Sequence, residues 1–298
     1  MKMKREEKEM KCSEIHIRDP FVLVYEGKYY MYGTFGPECW SENLSHFDVY
    51  VSEDLENWSE PVCCFDPPEG FWGTMNFWAP EVHEWKGKFY LFASFKSKTH
   101  CRGTAILRAD SPMGPFLPHS EGAVTPADWE CLDGTFYVSK EGKPYMVFCH
   151  EWVQVGDGEM WAVPLTEDLK AAAGDMKLLF RASEPEWVKS ITKTSTGLDG
   201  YVTDGPFMWR TQDGTLLCLW ASFSKEGYTE AVAVSDNGEI DGKFTHIEPL
   251  FRKDGGHGMV FRALDGQMYL TLHSPNQSPK ERPVFRKLTE KPDGFELA

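Results

Sequence analysis

The chain has 298 residues, of which 41% are hydrophobic and 14% aromatic, enough apolar surface for a packed interior. Its net charge of −15 repels phosphate backbones and anionic membranes, so nucleic acid and membranes are excluded as partners and a neutral ligand is expected. No long apolar run or apolar leader is present and the eight cysteines are scattered, so we expect a cytoplasmic protein with reduced thiols.

Five segments share one arrangement. Each begins with a short polar or proline-containing motif, called its opening here, continues through a strand-like run and a tight turn, and ends in a second run. Openings of this kind recur 53 to 71 residues apart along the whole chain. Such a repeat, built from strands and X-Gly turns, predicts a β-propeller. In chain order the openings are Arg18-Asp19-Pro20-Phe21, Trp78-Ala79-Pro80-Glu81, Leu132-Asp133-Gly134-Thr135, Thr203-Asp204-Gly205-Pro206 and Gly255-Gly256-His257-Gly258.

The predicted fold is therefore all-β, a single five-bladed propeller over residues 1–298 with residues 1–14 as an N-terminal extension. The longest stretch outside the repeat, residues 171–201, is predicted to form a short helix or a loop on the rim. The predicted blades cover residues 15–59, 78–116, 132–169, 203–244 and 255–288.

Three of the five repeats open on aspartate, and the first strand of each blade lines the central channel of a propeller. Asp19, Asp133 and Asp204 should therefore point to one place. Inverting hydrolysis of a glycosidic bond needs a carboxylate to activate water and a protonated carboxylic acid to release the leaving group. A third carboxylate would raise the pKa of that acid. The competing interpretation is that Asp-Pro and Asp-Gly are turn dipeptides, but these aspartates stand at blade starts rather than at hairpin turns.

The same motifs resemble glycoside hydrolase family 43, a family of five-bladed propellers that includes α-L-arabinofuranosidases, β-xylosidases and arabinanases. The resemblance runs through all five blades in order. It implies an inverting mechanism with Asp19 as the general base, Asp133 as the residue that tunes and orients the acid, and Asp204 as the general acid. It also implies that His257 approaches the channel centre beside a metal ion or its waters.

One position departs from the family pattern, in which the acid is glutamate before Gly-Pro. Asp204 is shorter by one methylene, and a catalytic group displaced by about 1 Å can lose on the order of a hundredfold in rate. Three hypotheses follow: the backbone has moved inward, Glu151 or Glu81 donates the proton instead, or the chain is weak on standard substrates.

Several side chains are candidates for binding sugar, because aromatic rings stack on the C–H faces of sugars and polar groups bind hydroxyls. Arg282 would clamp a hydroxyl or, in the alternative interpretation, pair with an acid. The glycines beside His257 allow close approach to the axis, where the two alternatives are a hydrated Ca²⁺ bound through water and a histidine bonded to water or a carboxylate. We expect no required cofactor. The predicted substrate contacts are Trp78, Glu81, Glu151, Trp152, His257 and Arg282.

The sequence thus predicts an inverting glycosidase that removes terminal L-arabinofuranose or xylose from plant cell-wall oligosaccharides. Two alternatives stay open: a carbohydrate-binding propeller that has lost hydrolysis, and a related hydrolase of other linkage specificity such as an exo-β-1,3-galactanase. The sequence does not decide sugar, linkage, exo or endo action, or oligomeric state.

Overall fold

The computed structural model describes residues 9–35, 39–43 and 45–298. Its main elements are five four-stranded antiparallel sheets, each built of strands that follow one another in the chain. Blade 1 contains β1 (Ile17–Tyr25), β2 (Lys28–Phe35), β3 (Phe47–Ser52) and β4 (Val62–Phe65); blade 2 contains β5 (Met75–Trp85), β6 (Lys88–Lys96), β7 (Gly103–Ala109) and β8 (Leu117–Ala123); blade 3 contains β9 (Cys131–Val138), β10 (Pro144–His150), β11 (Glu159–Pro164) and β12 (Lys177–Arg181).

Between blades 3 and 4 the chain forms a separate two-stranded hairpin, and helices are confined to two short turns in the described residues. No helix in that part of the chain is long and apolar enough to cross a membrane. The remaining elements are a 3-10 helix (Cys12–Glu14), α1 (Trp152–Val155), the hairpin strands β13 (Ile191–Lys193) and β14 (Leu198–Gly200), blade 4 with β15 (Asp204–Arg210), β16 (Leu216–Ser224), β17 (Gly227–Ser235) and β18 (Phe244–His246), and blade 5 with β19 (Gly256–Arg262), β20 (Met268–Ser274), β21 (Arg282–Lys291) and β22 (Gly294–Leu297).

The first strands of the blades contact one another around a closed ring. β1 meets β5 and β19, β9 meets β5 and β15, and β15 meets β19. The predicted five-bladed all-β propeller is therefore confirmed. The predicted blade ranges ended too early, because the outer strands β4, β8, β12 and β22 lie beyond them. These strands are short, and β8 for example carries mostly polar and exposed residues without the alternation that marks a half-buried strand.

The predicted helix or rim loop at residues 171–201 needs correction. The segment contributes β12 to blade 3 and then forms the β13–β14 hairpin. The short helix α1 lies earlier, directly after the second strand of blade 3. A run of three alanines at 171–173 suggested helix, but too few residues follow it to complete the turns that helix formation requires.

All five inner strands carry the same backbone irregularity in the first half of the strand. Asp19, Ala79, Asp133, Gly205 and His257 have φ values of 52°, 47°, 58°, 49° and 53°. At each point the register with the second strand shifts, which defines a β-bulge. A left-handed non-glycine residue costs on the order of 1–3 kcal/mol and such residues cluster at functional sites. The bulges therefore direct attention to the end of the ring at which the inner strands begin.

The bulges also show which residues occupy equivalent positions in the five repeats. Asp19, Asp133 and His257 are equivalent bulge residues, whereas blade 4 places Gly205 there and Asp204 stands one residue earlier. Only a glycine fits at 205, since an added Cβ would lie 2.6 Å from the His257 ring. The side chain of Asp204 consequently enters the site from a different position than those of Asp19 and Asp133.

Candidate active site

A cavity of about 620 Å³ opens at the end of the ring where the inner strands begin, and every blade contributes to its wall. The structure brings seven of the nine predicted site residues to this cavity: Asp19, Trp78, Asp133, Glu151, Trp152, Asp204 and His257.

The three aspartates surround one nitrogen of His257. Its Nδ1 lies 3.3 Å from Asp19 Oδ1, 3.7 Å from Asp133 Oδ2 and 3.7 Å from Asp204 Oδ1. Residues from blades 1, 3, 4 and 5 thus meet on the cavity floor. His257 is mostly buried there, and of the two alternatives for it the contact with carboxylates is the one the geometry favours.

Asp19 is set up to remain ionised. Thr34 Oγ1 donates to its Oδ2 over 2.5 Å, and His273 Nδ1 lies 3.3 Å from its Oδ1. Burial alone would raise the pKa of Asp19, but His257, then the hydrogen bond with His273, outweigh burial. With the further help of Arg18, the pKa of Asp19 falls well below its usual range. An anion is the form that a general base requires.

Asp133 has the opposite tendency. It is 5% exposed, its amide N–H donates to Ser94 Oγ over 2.8 Å, and its Oδ2 accepts the amide N–H of Gly205 over 3.1 Å. Burial first, and then the charge of Asp204, raise the pKa of Asp133 well above its usual range. Asp133 and Asp204 are two carboxyl groups in one cluster, and such groups disfavour simultaneous ionisation.

Asp204 is the most accessible of the three carboxyl groups. Its side chain is 25% exposed, and Tyr228 donates its hydroxyl to Oδ2 over 2.5 Å. Oδ1 faces His257. Of the two Asp204 carboxyl oxygens, Oδ2 therefore accepts a hydrogen bond and Oδ1 faces the cavity.

Blades 2 and 3 together hold a compact group of charged and aromatic side chains in the cavity wall. The Arg102 guanidinium lies 4.1 Å over the Trp78 ring and forms a buried ion pair with Glu151. It also donates to Asn76 Oδ1 over 3.2 Å. Burial raises the pKa of Glu151, and Arg102 opposes that rise. Because its carboxylate is held by Arg102, Glu151 is poorly placed to donate a proton to a leaving group.

Aromatic side chains form further parts of the wall. Trp40 is 56% exposed at the mouth and meets Trp78 edge to face, with ring centroids 5.1 Å apart. Trp152 is buried under the β13–β14 hairpin, where a Cβ on Gly200 would lie 2.5 Å from its ring. Trp40 and Trp78 are therefore the rings that stand at the cavity mouth, and Trp152 supports the hairpin beside it.

Two predicted substrate contacts lie away from the cavity and are withdrawn. Glu81 is buried in β5 and pairs with His83 Nε2 at 3.0 Å. Arg282 donates to the carbonyl oxygen of Ser13 over 2.8 Å and lies 3.0 Å from His16 Nε2. Glu81 follows its blade's bulge by two residues, and Arg282 starts β21, the third strand of blade 5.

Sequence reasoning missed Arg102, Tyr228 and His273. Tyr228 and His273 lie within second and third strands of their blades, where their alternating apolar neighbours suggest ordinary packing, and Arg102 immediately precedes β7. None belongs to a motif. The hairpin glycine before Tyr228 marks a turn but not the direction of the ring.

Asp133, Asp204 and His257 each offer one ligand atom within 4.8 Å of the others, an arrangement that could hold a metal ion. The set does not suit Ca²⁺, which takes six to eight oxygen ligands at about 2.3–2.6 Å. One of the three ligands is an imidazole nitrogen, and oxygens of the two aspartates already accept hydrogen bonds from Gly205 and Tyr228. No catalytic step is therefore assigned to calcium.

Comparison with known proteins identifies the family. The family model described as glycosyl hydrolases family 43 matches residues 13–294. The chain belongs to this family. The resemblance predicted from the propeller motifs is confirmed.

Several relatives of family 43 type match. A xylosidase/arabinosidase of Bacteroides ovatus is 25% identical over 41% of this chain and 42% of its own length. An exo-α-(1→5)-L-arabinofuranosidase of Cellvibrio japonicus is 22% identical over 88% of this chain and 80% of its own length. The crystal structure of an endo-arabinase from Bacteroides thetaiotaomicron is 42% identical with a TM-score of 0.89, covering 96% of this chain and 99% of that chain. The matches to the first three curated relatives span less than half of each relative's length.

Proposed function

We propose that this family 43 protein is an inverting glycosidase that removes terminal pentose, L-arabinofuranose or xylose, from plant cell-wall oligosaccharides. The observation that carries the proposal is the convergence of Asp19, Asp133 and Asp204 on His257 at the floor of one cavity. An anionic carboxyl and a second carboxyl open to the cavity are the pair that an inverting mechanism requires.

In the proposed reaction Asp19 accepts a proton from water as the water oxygen attacks the anomeric carbon. The bond from that carbon to the glycosidic oxygen breaks, and Asp204 transfers its proton to the departing oxygen. Asp133 lies in the same carboxyl cluster and disfavours a further negative charge there, which helps Asp204 keep its proton until the departing oxygen takes it. Product release leaves Asp19 protonated and Asp204 ionised, and exchange with solvent restores both.

The cavity wall supports a sugar as the ligand. Trp40 and Trp78 offer rings for the C–H faces of a pentose at the mouth, and Thr34 and Asn276 add polar groups to the lining. A cavity of about 620 Å³ lies within the usual range for small-molecule sites.

A second candidate is internal cleavage of arabinan, and the 42% identical endo-arabinase favours it. The two candidates differ in their products. Terminal cleavage of a linear α-1,5-arabinan releases monosaccharide from the first time point, whereas internal cleavage first releases oligomers of several lengths.

The deciding experiment assays purified protein on aryl α-L-arabinofuranoside, aryl β-xyloside, linear arabinan and a β-1,3-galactan. Hydrolysis of an aryl pentoside with inversion at the anomeric carbon, read by NMR, is the expected result. Binding of an arabino- or xylo-oligosaccharide without hydrolysis would instead support the carbohydrate-binding alternative. Hydrolysis of a galactan alone would support an exo-β-1,3-galactanase.

We further propose that catalysis has no calcium requirement, because the cavity's ligand set is poor in free oxygen atoms. Extensive treatment with EDTA should leave kcat on the aryl pentoside unchanged. A loss that Ca²⁺ restores would contradict this and would return a metal to the mechanism.

A further inference from the structure

Asp204 is short, and its side chain is a quarter exposed, so it needs an external group to hold its carboxyl group at one angle. Packing does not provide that group within β15, because Asp204 is the first residue of the strand and Gly205 follows without a side chain. The contact that fixes the carboxyl group comes from β17, two strands away in the same blade, through the hydroxyl of Tyr228.

Tyr228 is itself held firmly. The residue is 1% exposed, and its ring lies between Phe223, with centroids 5.2 Å apart, and His273, stacked at 5.5 Å and 23°. Its amide N–H donates to Asp254 Oδ1 over 3.3 Å. A Cβ on Gly256 would lie 2.7 Å from the Tyr228 ring, so blade 5 closes the remaining side. The hydroxyl therefore has a fixed position.

The direction of this hydrogen bond decides which oxygen of Asp204 carries the transferable proton. Burial, and next the charge of Asp204, raise the pKa of Tyr228 well above its usual range, so the phenol remains a donor. Asp204 Oδ2 must then accept, and a proton on this carboxyl group belongs on Oδ1, the oxygen that faces His257 and the cavity. A proton on Oδ2 would compete with the phenol hydrogen for the same short contact.

We propose that Tyr228 is a positioning residue for the acid: its hydroxyl fixes Asp204 Oδ2 and thereby presents the proton on Oδ1 to the glycosidic oxygen. This inference rests on the proposed function. It also offers a reason why a carboxyl group shorter by one methylene can serve at this position, since a rigid donor replaces the guidance that the family's longer side chain would have. Through the Tyr228–His273 stack, the acid is further connected to the base, because His273 contacts Asp19.

The test compares Tyr228→Phe with wild type on two substrates, a nitrophenyl pentoside and an oligosaccharide that wild type cleaves. A nitrophenolate departs without protonation, so its hydrolysis should change little. For the oligosaccharide, kcat should fall about tenfold or more with KM unchanged, because the lost hydrogen bond is made to a carboxyl group that becomes charged as it releases its proton. In the Asp204→Asn background, Tyr228→Phe should cause no further loss, because Tyr228 acts through Asp204.

Tyr32→Phe is the matched control. Tyr32 is also fully buried and its hydroxyl also makes one hydrogen bond, to the carbonyl oxygen of Pro112, but it does not line the cavity. A Tyr228→Phe variant that behaves like Tyr32→Phe, that loses both substrates equally, or that multiplies the loss in the Asp204→Asn background would overturn the inference.

Failure of the proposed function would look different, since wild type would then hydrolyse no pentoside. The inference would in that case be judged by crystal structures of wild type and Tyr228→Phe. A turned Asp204 carboxyl group in the variant supports positioning by Tyr228, and an unchanged one refutes it.

Discussion

Asp19 and Asp133 occupy equivalent positions in their blades, yet their neighbours favour opposite protonation states. Two histidines and an arginine surround Asp19 and lower its pKa. At Asp133 burial, followed by the charge of Asp204, raises the pKa. The same bulge position thus supplies the base in blade 1 and, in blade 3, a carboxyl group that disfavours charge beside the acid Asp204.

Replacing Asp19 by asparagine keeps the shape of the side chain and removes the proton acceptor. We expect kcat to fall about 10²–10⁴-fold, because that is the usual contribution of a general base. Steady-state kinetics on the aryl pentoside measure this, with circular dichroism to confirm the fold. Asp265→Asn, in the exposed turn after β19, should retain full activity. Near wild-type activity of the Asp19 variant would show that another group activates water.

Asp204→Asn should suppress cleavage of oligosaccharides and spare nitrophenyl pentosides, because only the former need a protonated leaving group. Asp204→Glu separates two hypotheses for the shorter side chain. The extra methylene should reduce activity if Tyr228 and the bulge at Gly205 have adapted to aspartate, and we expect this result from the short Tyr228 contact. A gain in kcat would show instead that the chain has drifted towards binding. Equal loss on both substrates in Asp204→Asn would indicate a structural role.

At the scale of the elements, the bulge in β19 depends on a buried acid in β17. Glu230 is fully buried, and its Oε2 accepts the amide N–H of Gly258 over 2.9 Å, next to His257. Its Oε1 has no hydrogen-bond partner in the described structure. Burial raises the pKa of Glu230 well above its usual value, so the fold favours the neutral form.

This arrangement predicts a pH-dependent loss of stability. Because the folded-state pKa of Glu230 is raised, its contribution to stability is complete below the unfolded-state pKa of about 4.3 and is lost as pH rises through the folded-state pKa. Glu230→Gln resembles the protonated acid. It should therefore exceed wild type in urea denaturation, and by more at pH 9 than at pH 5.

Glu53→Gln provides the comparison for Glu230→Gln, because Glu53 is an exposed surface acid. It should leave the difference in unfolding free energy between pH 5 and pH 9 unchanged. An identical pH dependence in wild type and Glu230→Gln would contradict a raised pKa at this position.

At the scale of the whole molecule, the ring is closed by packing between blades 1 and 5. Trp58 is fully buried and stacks on Phe285 of β21, with ring centroids 5.9 Å apart and an interplanar angle of 7°. Arg18 of β1 pairs with Glu281 at 2.6 Å, beside the start of β21. No sheet combines strands from the two ends of the described chain, so side-chain contacts supply this closure.

Trp58→Ala should therefore lower the free energy of unfolding by about 3–5 kcal/mol, the usual effect of removing a large buried aromatic ring. Denaturant titration followed by circular dichroism measures the change. Trp40→Ala is the matched control, since Trp40 is 56% exposed and an exposed substitution usually changes stability by about 0.5 kcal/mol or less. A small effect at Trp58 would mean that the ring closes without this stack.

The sequence by itself determined the five-bladed ring and the placement of Asp19 and Asp133. Both are local properties. Alternating apolar and polar residues with X-Gly turns define hairpins, and a motif at the start of a blade's first strand lies at the central channel once the blade forms. It did not reveal the outer strands, whose short polar runs lack a periodic pattern.

Only the tertiary structure decided the chemistry around those aspartates. His273 reaches Asp19 across 254 residues, and the amide of Gly205 reaches Asp133 across 72. It also decided that Asp204 precedes its bulge, that Tyr228 holds it, and that Glu81 and Arg282 lie elsewhere. Local patterns encode which face of a strand is buried, whereas protonation state and orientation depend on groups that closure of the ring brings together from other blades.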